Sequence, residues 1–276
     1  MCIITLTTDF GLKDHSVPAI KGALLRELDL PQIIDISHDI SPFNYTEAAY
    51  IIKNAYHNFP ENTVHIIGVD SEYTPENKHL AIYLDGHYFI CADNGILSLI
   101  FSEIRAEKIV EINIHDKIEK KFNVLDVFVN VAAHICRGGD LDVIGKPISQ
   151  INELVHVKPS VNQLSDKIIG HVIYIDNFGN VVSNISKKLF KSIAMGRDYE
   201  ISARSTTFFR VYSNYSEAIN FDIPKEQREM EGKKLALFNS SQFLELAIYK
   251  SNPSSVGSAS TLFGLRYLDT LTVKFL

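Results

Sequence analysis

Apolar and polar positions along the chain fall into two regimes. In the first, runs of strand length alternate with stretches of helical period. Ile3, Ile4 and Leu6 make a strand, Pro18 to Leu28 an amphipathic helix, and Gln32 to Ile36 a short buried strand. Ser41 and Pro42 open a helix over Thr46 to Tyr56, with Ala48, Ala49, Ile51, Ile52 and Ala55 at helical spacing. Val64 to Val69 is continuously apolar, the mark of a strand buried on both faces. Leu80 to Leu84 and Tyr88 to Cys91 read as a hairpin about Asp85-Gly86. Asn94-Gly95 turns into a helix, and Val127 to Arg137 is a helix closed by Gly138 and Gly139. Strand, helix, strand in succession predicts a parallel sheet. After Lys158 to Lys167 strands dominate, with HVIYID, NVVSNI, YEISAR, TFFRVY, KLALFN and TLTVKF separated by polar turns. The expected fold class is α/β: an amino-terminal α/β sandwich with a central, largely parallel sheet over 1–158, a linker over 159–167, and a smaller all-β domain over 168–276.

Composition narrows the partners. A chain of 276 residues that is 46% hydrophobic has enough apolar material for two cores. A net charge of -6 gives no general attraction to nucleic acid or to an anionic membrane. No apolar run approaches the roughly 18 to 20 residues that span a bilayer, and the opening MCIITLTTDF has no leader pattern, so a cytoplasmic protein is expected. Cys2, Cys91 and Cys136 are odd in number, far apart and without a CxxC, which predicts reduced thiols, no disulfide framework and no cysteine zinc site. His134 lies on the last helix of the first regime with no second ligand at metal spacing, so it reads as a packing histidine and no metal is expected. Phosphate-binding loops, dinucleotide glycine turns, HExxH and GxSxG are all missing.

What remains is a set of acids and amides at loop positions. Asp9 and Asp14 follow the first strand, and Asp70 repeats that placement after Val64 to Val69. Ligands of open α/β sheets sit in the crevice outside the strands' carboxyl ends, and carboxylates there suit a ligand with hydroxyls and positive charge. Asp9 as a turn former and Asp14 as a helix N-cap are the structural alternatives. Asn77, Asp93, Asn94, Asn123, Asp176 and Asn180 extend the set, which fits hydroxyls, amines and a purine edge but holds no evident nucleophile.

TTDFG with its downstream KG, ISHDISPF, the VD after an apolar strand, ADNGILS, AAHIC, IDNFGNVVSNI and NSSQFLELA occur in this order over nearly the whole chain. Together they resemble the S-adenosylmethionine hydroxide adenosyltransferases, relatives of the fluorinases and chlorinases. The resemblance implies a homotrimer with S-adenosylmethionine, as substrate and without another cofactor, at subunit interfaces. It also implies displacement at the ribose 5′ carbon with methionine leaving. On this likeness Asp9 holds the ribose hydroxyls, Asp14 and Asp176 lie near the methionine ammonium, and Ser16 near its carboxylate. Phe43 packs on the sugar, Phe178, Asn180 and Tyr215 form the adenine site, and Ser240 and Ser241 contact the same end of the ligand.

The chain departs from that pattern at the water. Asp70 is kept, but Asn77 stands where an arginine is expected and Asn123, in KFNVLD, where a histidine is expected; a loop shift of one would put Lys78 nearby instead. An amide carries neither proton nor charge at neutral pH, so it orients water without activating it as a cation does. Val124, and an Asp70 that would meet a bare anion, argue against halide as nucleophile. The leading expectation is a hydrolase that forms adenosine and methionine, with Asp70, Asn77 and Asn123 holding the water. The alternatives are a non-catalytic protein or sensor that binds S-adenosylmethionine or a related adenosine compound, and a transferase using another nucleophile.

Overall fold

The structure is a computed structural model that describes residues 2–101, 106–117, 123–155, 157–228 and 232–276, the side chains of 117 and 123–125 excepted. Two compact units divide the chain, residues 1–155 and 156–276.

In the first unit the apolar run after Cys2 becomes β1 (Ile3–Thr8), and the helical period that follows becomes α1 (Ser16–Glu27). Then come β2 (Gln32–Ser37), α2 (Tyr45–Ala55), β3 (Val64–Gly68), β4 (His79–Leu84), β5 (His87–Ala92), α3 (Ile96–Ile100), β6 (Lys108–Ile112), α4 (Asn123–Cys136) and β7 (Gly145–Pro147). The helix cap of α2 is Asn44, whose side chain accepts from the Glu47 amide, later than the expected Ser41-Pro42 start. The strands form one sheet in the order β2-β1-β3-β5-β4-β6-β7. Pairing is parallel among β2, β1, β3 and β5, and antiparallel for β5-β4, β4-β6 and β6-β7. The change of direction has a local cause. Asp85 and Gly86 both take positive φ, 52° and 74°, and a turn that short joins only antiparallel neighbours.

Both faces of this sheet are covered. Ile20 and Leu24 of α1 and Val127 and Val131 of α4 pack with Ile4, Leu6 and Ile66. Ala48 and Ile52 of α2 and Ile96 and Leu97 of α3 pack with Ile67, Ile82 and Phe89. Each such side chain contributes about 1.5–3 kcal/mol when fully buried. His134 bonds the Asp140 carbonyl at 2.9 Å, and a Cβ on Gly139 would lie 2.2 Å from its ring, so it closes α4 by packing.

Cys2 and Cys136 are joined by a disulfide, with Cα atoms 5.5 Å apart, and the expectation of reduced thiols is corrected there. The pairing is tertiary: it links the start of β1 to the end of α4 across 134 residues, a separation that no local spacing reveals. Cys91 is free and buried.

The second unit comprises β8 (Ser160–Val161), β9 (Lys167–Ile175), β10 (Val181–Ser186), α5 (Lys187–Ala194), β11 (Tyr199–Ala203), β12 (Thr206–Phe208), β13 (Val211–Tyr212), β14 (Lys234–Phe238), β15 (Phe243–Ile248), α6 (Ala259–Phe263) and β16 (Thr270–Phe275). Its sheet runs β12-β11-β16-β9-β10-β15-β14-β13, with β8 also on β9. Seven of these strands send residues such as Ile201, Phe208, Val273, Ile168, Ile185, Leu244 and Ala236 into one main core, while Leu235, Leu237 and Ala247 of β14 and β15 form a smaller cluster. Helices α5 and α6 add Phe190 and Ala259 to that core, so the unit is strand-dominated rather than purely β. The stretch 159–167, expected as a linker, forms a hairpin: Ser160 and Val161 pair with Ile169 and Ile168, and the Asn162 carboxamide oxygen accepts from the Asp166 and Lys167 amides.

Buried histidines give the first unit a pH signature. His65 bonds Thr5 at 2.7 Å and His87 at 3.2 Å, and burial lowers its pKa to about 3; burial likewise lowers that of His79 to about 4. Both are neutral when folded and ordinary when unfolded, so below pH about 6.5 the unfolded chain binds more protons. Stability is therefore expected to fall as pH drops from about 6.5 towards 4, by up to roughly 1.4 kcal/mol per pH unit for each histidine. Urea unfolding across this range reads the slope, and a flat profile would contradict these environments.

Candidate functional site

The order β2-β1-β3 sets a crevice. The chain leaves β1 towards β2 on one side and β3 towards β4 on the other, with α1 and α2 on opposite faces, and so opens a gap outside their carboxyl ends. Asp9 and Asp70 stand at these two ends. One Asp9 carboxylate oxygen, Oδ2, accepts from the Phe43 amide at 3.1 Å and the Asp70 amide at 3.4 Å, tying both loops to the end of β1. Phe43 has φ of 62° and is 66% exposed at the rim.

Asp70 adopts φ of 42°, a left-handed conformation that costs a non-glycine residue about 1–3 kcal/mol. Four consecutive carbonyls around it are fastened by side chains. Asn94 donates to the Val69 and Asp70 carbonyls at 3.0 and 3.2 Å, Asn77 to those of Asp70 and Glu72 at 3.0 Å each, and His79 to that of Ser71 at 2.9 Å. Asn77 thus spends its amide nitrogen on the loop, while its Oδ1 is buried with no protein partner. An unfilled buried acceptor costs about 1–3 kcal/mol, so this atom fits a bound donor. The Tyr45 hydroxyl donates to Asp70 Oδ2; burial first, and then that carboxylate, push its pKa up to about 12, so it remains a donor. Asp14 accepts from the Ser16 amide at 3.0 Å, which is the main cause of its lowered pKa; it lies one residue outside the N-cap of α1, His15, and stays exposed. Asn123 opens α4, and its side chain lies outside the described residues.

In the second unit Asp176 organises the turn between β9 and β10. Its Oδ1 accepts from the Phe178 and Asn180 amides at 2.9 and 2.8 Å, and Oδ2 from the Asn180 carboxamide at 2.9 Å. Gly179, at φ of 72°, has no room for a Cβ, which would lie 2.2 Å from Ser258 Oγ. Asn180 is buried, and Phe178 is 62% exposed on the turn's rim. The Tyr215 hydroxyl donates to Glu245, a buried glutamate whose pKa burial raises, with the Asp176 charge adding to the rise and hydrogen bonds from Tyr215 and Asn239 opposing it. Ser240 and Ser241 follow Asn239 in the β14–β15 turn, closed by the Asn239 amide on the Phe243 carbonyl at 3.0 Å. Phe178 and Asn180 therefore gather on Asp176, and Tyr215 on Glu245, which feels the Asp176 charge.

Sequence reasoning missed Tyr45, His79 and Glu245. For Glu245 a signal existed, a lone carboxylate inside the apolar run FLELAI; Tyr45 and His79 become visible only in three dimensions. Among the described residues no group of three or more His, Cys, Asp or Glu could hold a metal ion, and no helix is long and apolar enough to cross a membrane.

Two sheets, with carboxylates at a switch point in one and an Asp-Asn turn in the other, define a protein of the mixed α/β class. The chain matches the S-adenosylmethionine hydroxide adenosyltransferase amino-terminal domain over residues 4–145 and the carboxyl-terminal domain over 170–272, and it belongs to that family. The (R)-S-adenosyl-L-methionine hydrolase of Methanocaldococcus jannaschii is 29% identical, with 99% of this chain and 96% of that protein covered. A fluorinase of Nocardia brasiliensis is 24% identical over 70% of this chain and 74% of its own. The crystal structure of an uncharacterized conserved protein from Thermotoga maritima superposes with a TM-score of 0.82 at 28% identity, covering 99% of both chains.

Proposed function

We propose that the protein is an S-adenosylmethionine hydrolase that forms adenosine and L-methionine. The observation that carries this reading is the pair of carboxylates at the switch point, Asp9 and Asp70, with the Asp70 backbone amide donating to one Asp9 oxygen, in a chain whose full-length relative bears the hydrolase name. Asp9 has a second oxygen for the ribose hydroxyls. Asp70, with one oxygen bound by Tyr45, faces a water through the other, and the orphaned Asn77 oxygen accepts from the same water. Asn123 completes the water site. Asp14, Ser16 and Asp176 take the methionine end, Phe43 the sugar, and Phe178, Asn180, Tyr215, Ser240 and Ser241 the adenine side.

The chemistry asks little acid catalysis of the chain. Water attacks the ribose 5′ carbon in line with the sulfonium, one C–O bond forms as the C–S bond breaks, and the leaving group departs as a neutral thioether. Asp70 receives the water's proton. Orientation and partial desolvation of the nucleophile supply the acceleration. The reading includes a homotrimer with the substrate at subunit interfaces, where the exposed rings of Phe43 and Phe178 would be covered. Light scattering should then return about three times the 31.1 kDa chain mass. A ligand-binding sensor is the second reading, favoured by Asn77, whose nitrogen is committed to backbone and whose side chain carries no charge.

Mass spectrometry of purified protein with S-adenosylmethionine, with and without chloride, separates the two. Adenosine and methionine in equal amounts in both buffers are expected; intact bound ligand would leave the sensor. Asp9→Asn should weaken binding by about 1.5–3 kcal/mol, the range for a hydrogen bond to a charged group, as read by calorimetry. Unchanged affinity would remove Asp9 from the ribose.

A further inference from the structure

The loop that leaves Asp70 is fastened from behind by two buried histidines. His79, first residue of β4, is fully buried, with Nε2 2.9 Å from the Ser71 carbonyl oxygen and Nδ1 3.0 Å from Nε2 of His115. His115 is also buried, in a short helical turn after β6, and the ring of Tyr73, a residue of the same loop, lies against it with centroids 4.1 Å apart. Chemistry fixes the direction of this chain of bonds. A carbonyl only accepts, so His79 Nε2 carries the hydrogen; neutral His79 then offers a bare Nδ1, and His115 Nε2 must donate to it. Removing either donor leaves a buried acceptor without its partner.

We propose that His79 and His115 are positioning residues for Asp70: through the Ser71 carbonyl they hold the left-handed turn that aims the Asp70 carboxylate into the crevice. What Asp70 then does rests on the hydrolase reading; how its loop is held does not. The arrangement accounts for a non-glycine residue at φ of 42°, which persists only where its surroundings over-determine it. It also supplies a purpose for two imidazoles in a chain whose water site has amides where its resemblance leads one to expect arginine and histidine. The pair orients through the backbone and takes no proton from the water.

Three variants of the full chain test this: His79→Leu, which removes the donor to Ser71; His79→Gln, whose amide nitrogen reproduces Nε2; and His115→Leu, which removes the donor behind it. Amide hydrogen exchange over 71–77 is read beside kcat and KM for S-adenosylmethionine. His79→Leu should expose the loop to exchange and lower kcat about 10- to 100-fold, the scale of a misplacement near 1 Å, with KM little changed because the ribose contact at Asp9 is untouched. His79→Gln should retain most of the protection and rate, and His115→Leu should fall between. Wild-type protection in His79→Leu, or equal losses in His79→Gln and His79→Leu, would overturn the proposal. Should His79→Leu fail to fold, His115→Leu decides by the same exchange readout, and wild-type protection there overturns it. If the wild-type protein shows no turnover, the hydrolase reading fails by itself, and exchange still judges the positioning pair.

Discussion

Parallel pairing of β1 with β3, two strands distant in sequence, is the constraint on which the first unit depends. Their register, Ile4 with Val64 through Thr8 with Gly68, brings both carboxyl ends to the same level. α1 and α2 lie on opposite faces, and Asp9 and Asp70 meet above those ends through the Asp70 amide and one Asp9 oxygen. The strands themselves are almost wholly buried, so a one-residue slip would exchange the apolar sets facing the two cores and move both acids out of register. Fold energetics and site geometry are therefore the same requirement.

The loops above the sheet show how a polar site is made rigid without regular structure. Backbone carbonyls that a strand would have paired are taken by Asn94, Asn77 and His79. Asp9 takes the facing amides of Phe43 and Asp70. These side chains look catalytic in a list of polar residues, yet much of their hydrogen-bonding capacity holds the chain in place. The second unit uses the same device: Asp176 gathers three donors from its own turn, and Glu245 is kept buried by bonds from Tyr215 and Asn239.

Much of this was legible in the sequence, for physical reasons. The alternation of strand and helix periods located β1, α1, α2 and β3, because burial on one or two faces writes itself into residue spacing; β2, expected to be buried, is an edge strand with no buried residue. Asp85-Gly86 announced its hairpin through the backbone angles it permits. Carboxylates after apolar strands pointed to the crevice, where Asp9 and Asp70 stand, whereas Asp14 spends an oxygen on the Ser16 amide. Contacts made across long separations were not legible: the Cys2–Cys136 bond, the Tyr45 hydroxyl on Asp70 and the His79–His115 pair each join residues that no local pattern connects. Nor did the sequence tell which atoms of Asn77 would be left over once the loop had been satisfied.

The central claim is that water, held at Asp70, attacks the ribose 5′ carbon. Turnover of S-adenosylmethionine in water enriched in oxygen-18, followed by mass analysis of the nucleoside, tests it most directly. The account predicts adenosine with one heavy oxygen, located at the 5′ position, and unlabelled methionine. Adenosine without the label, or a nucleoside bearing a different 5′ group, would contradict it.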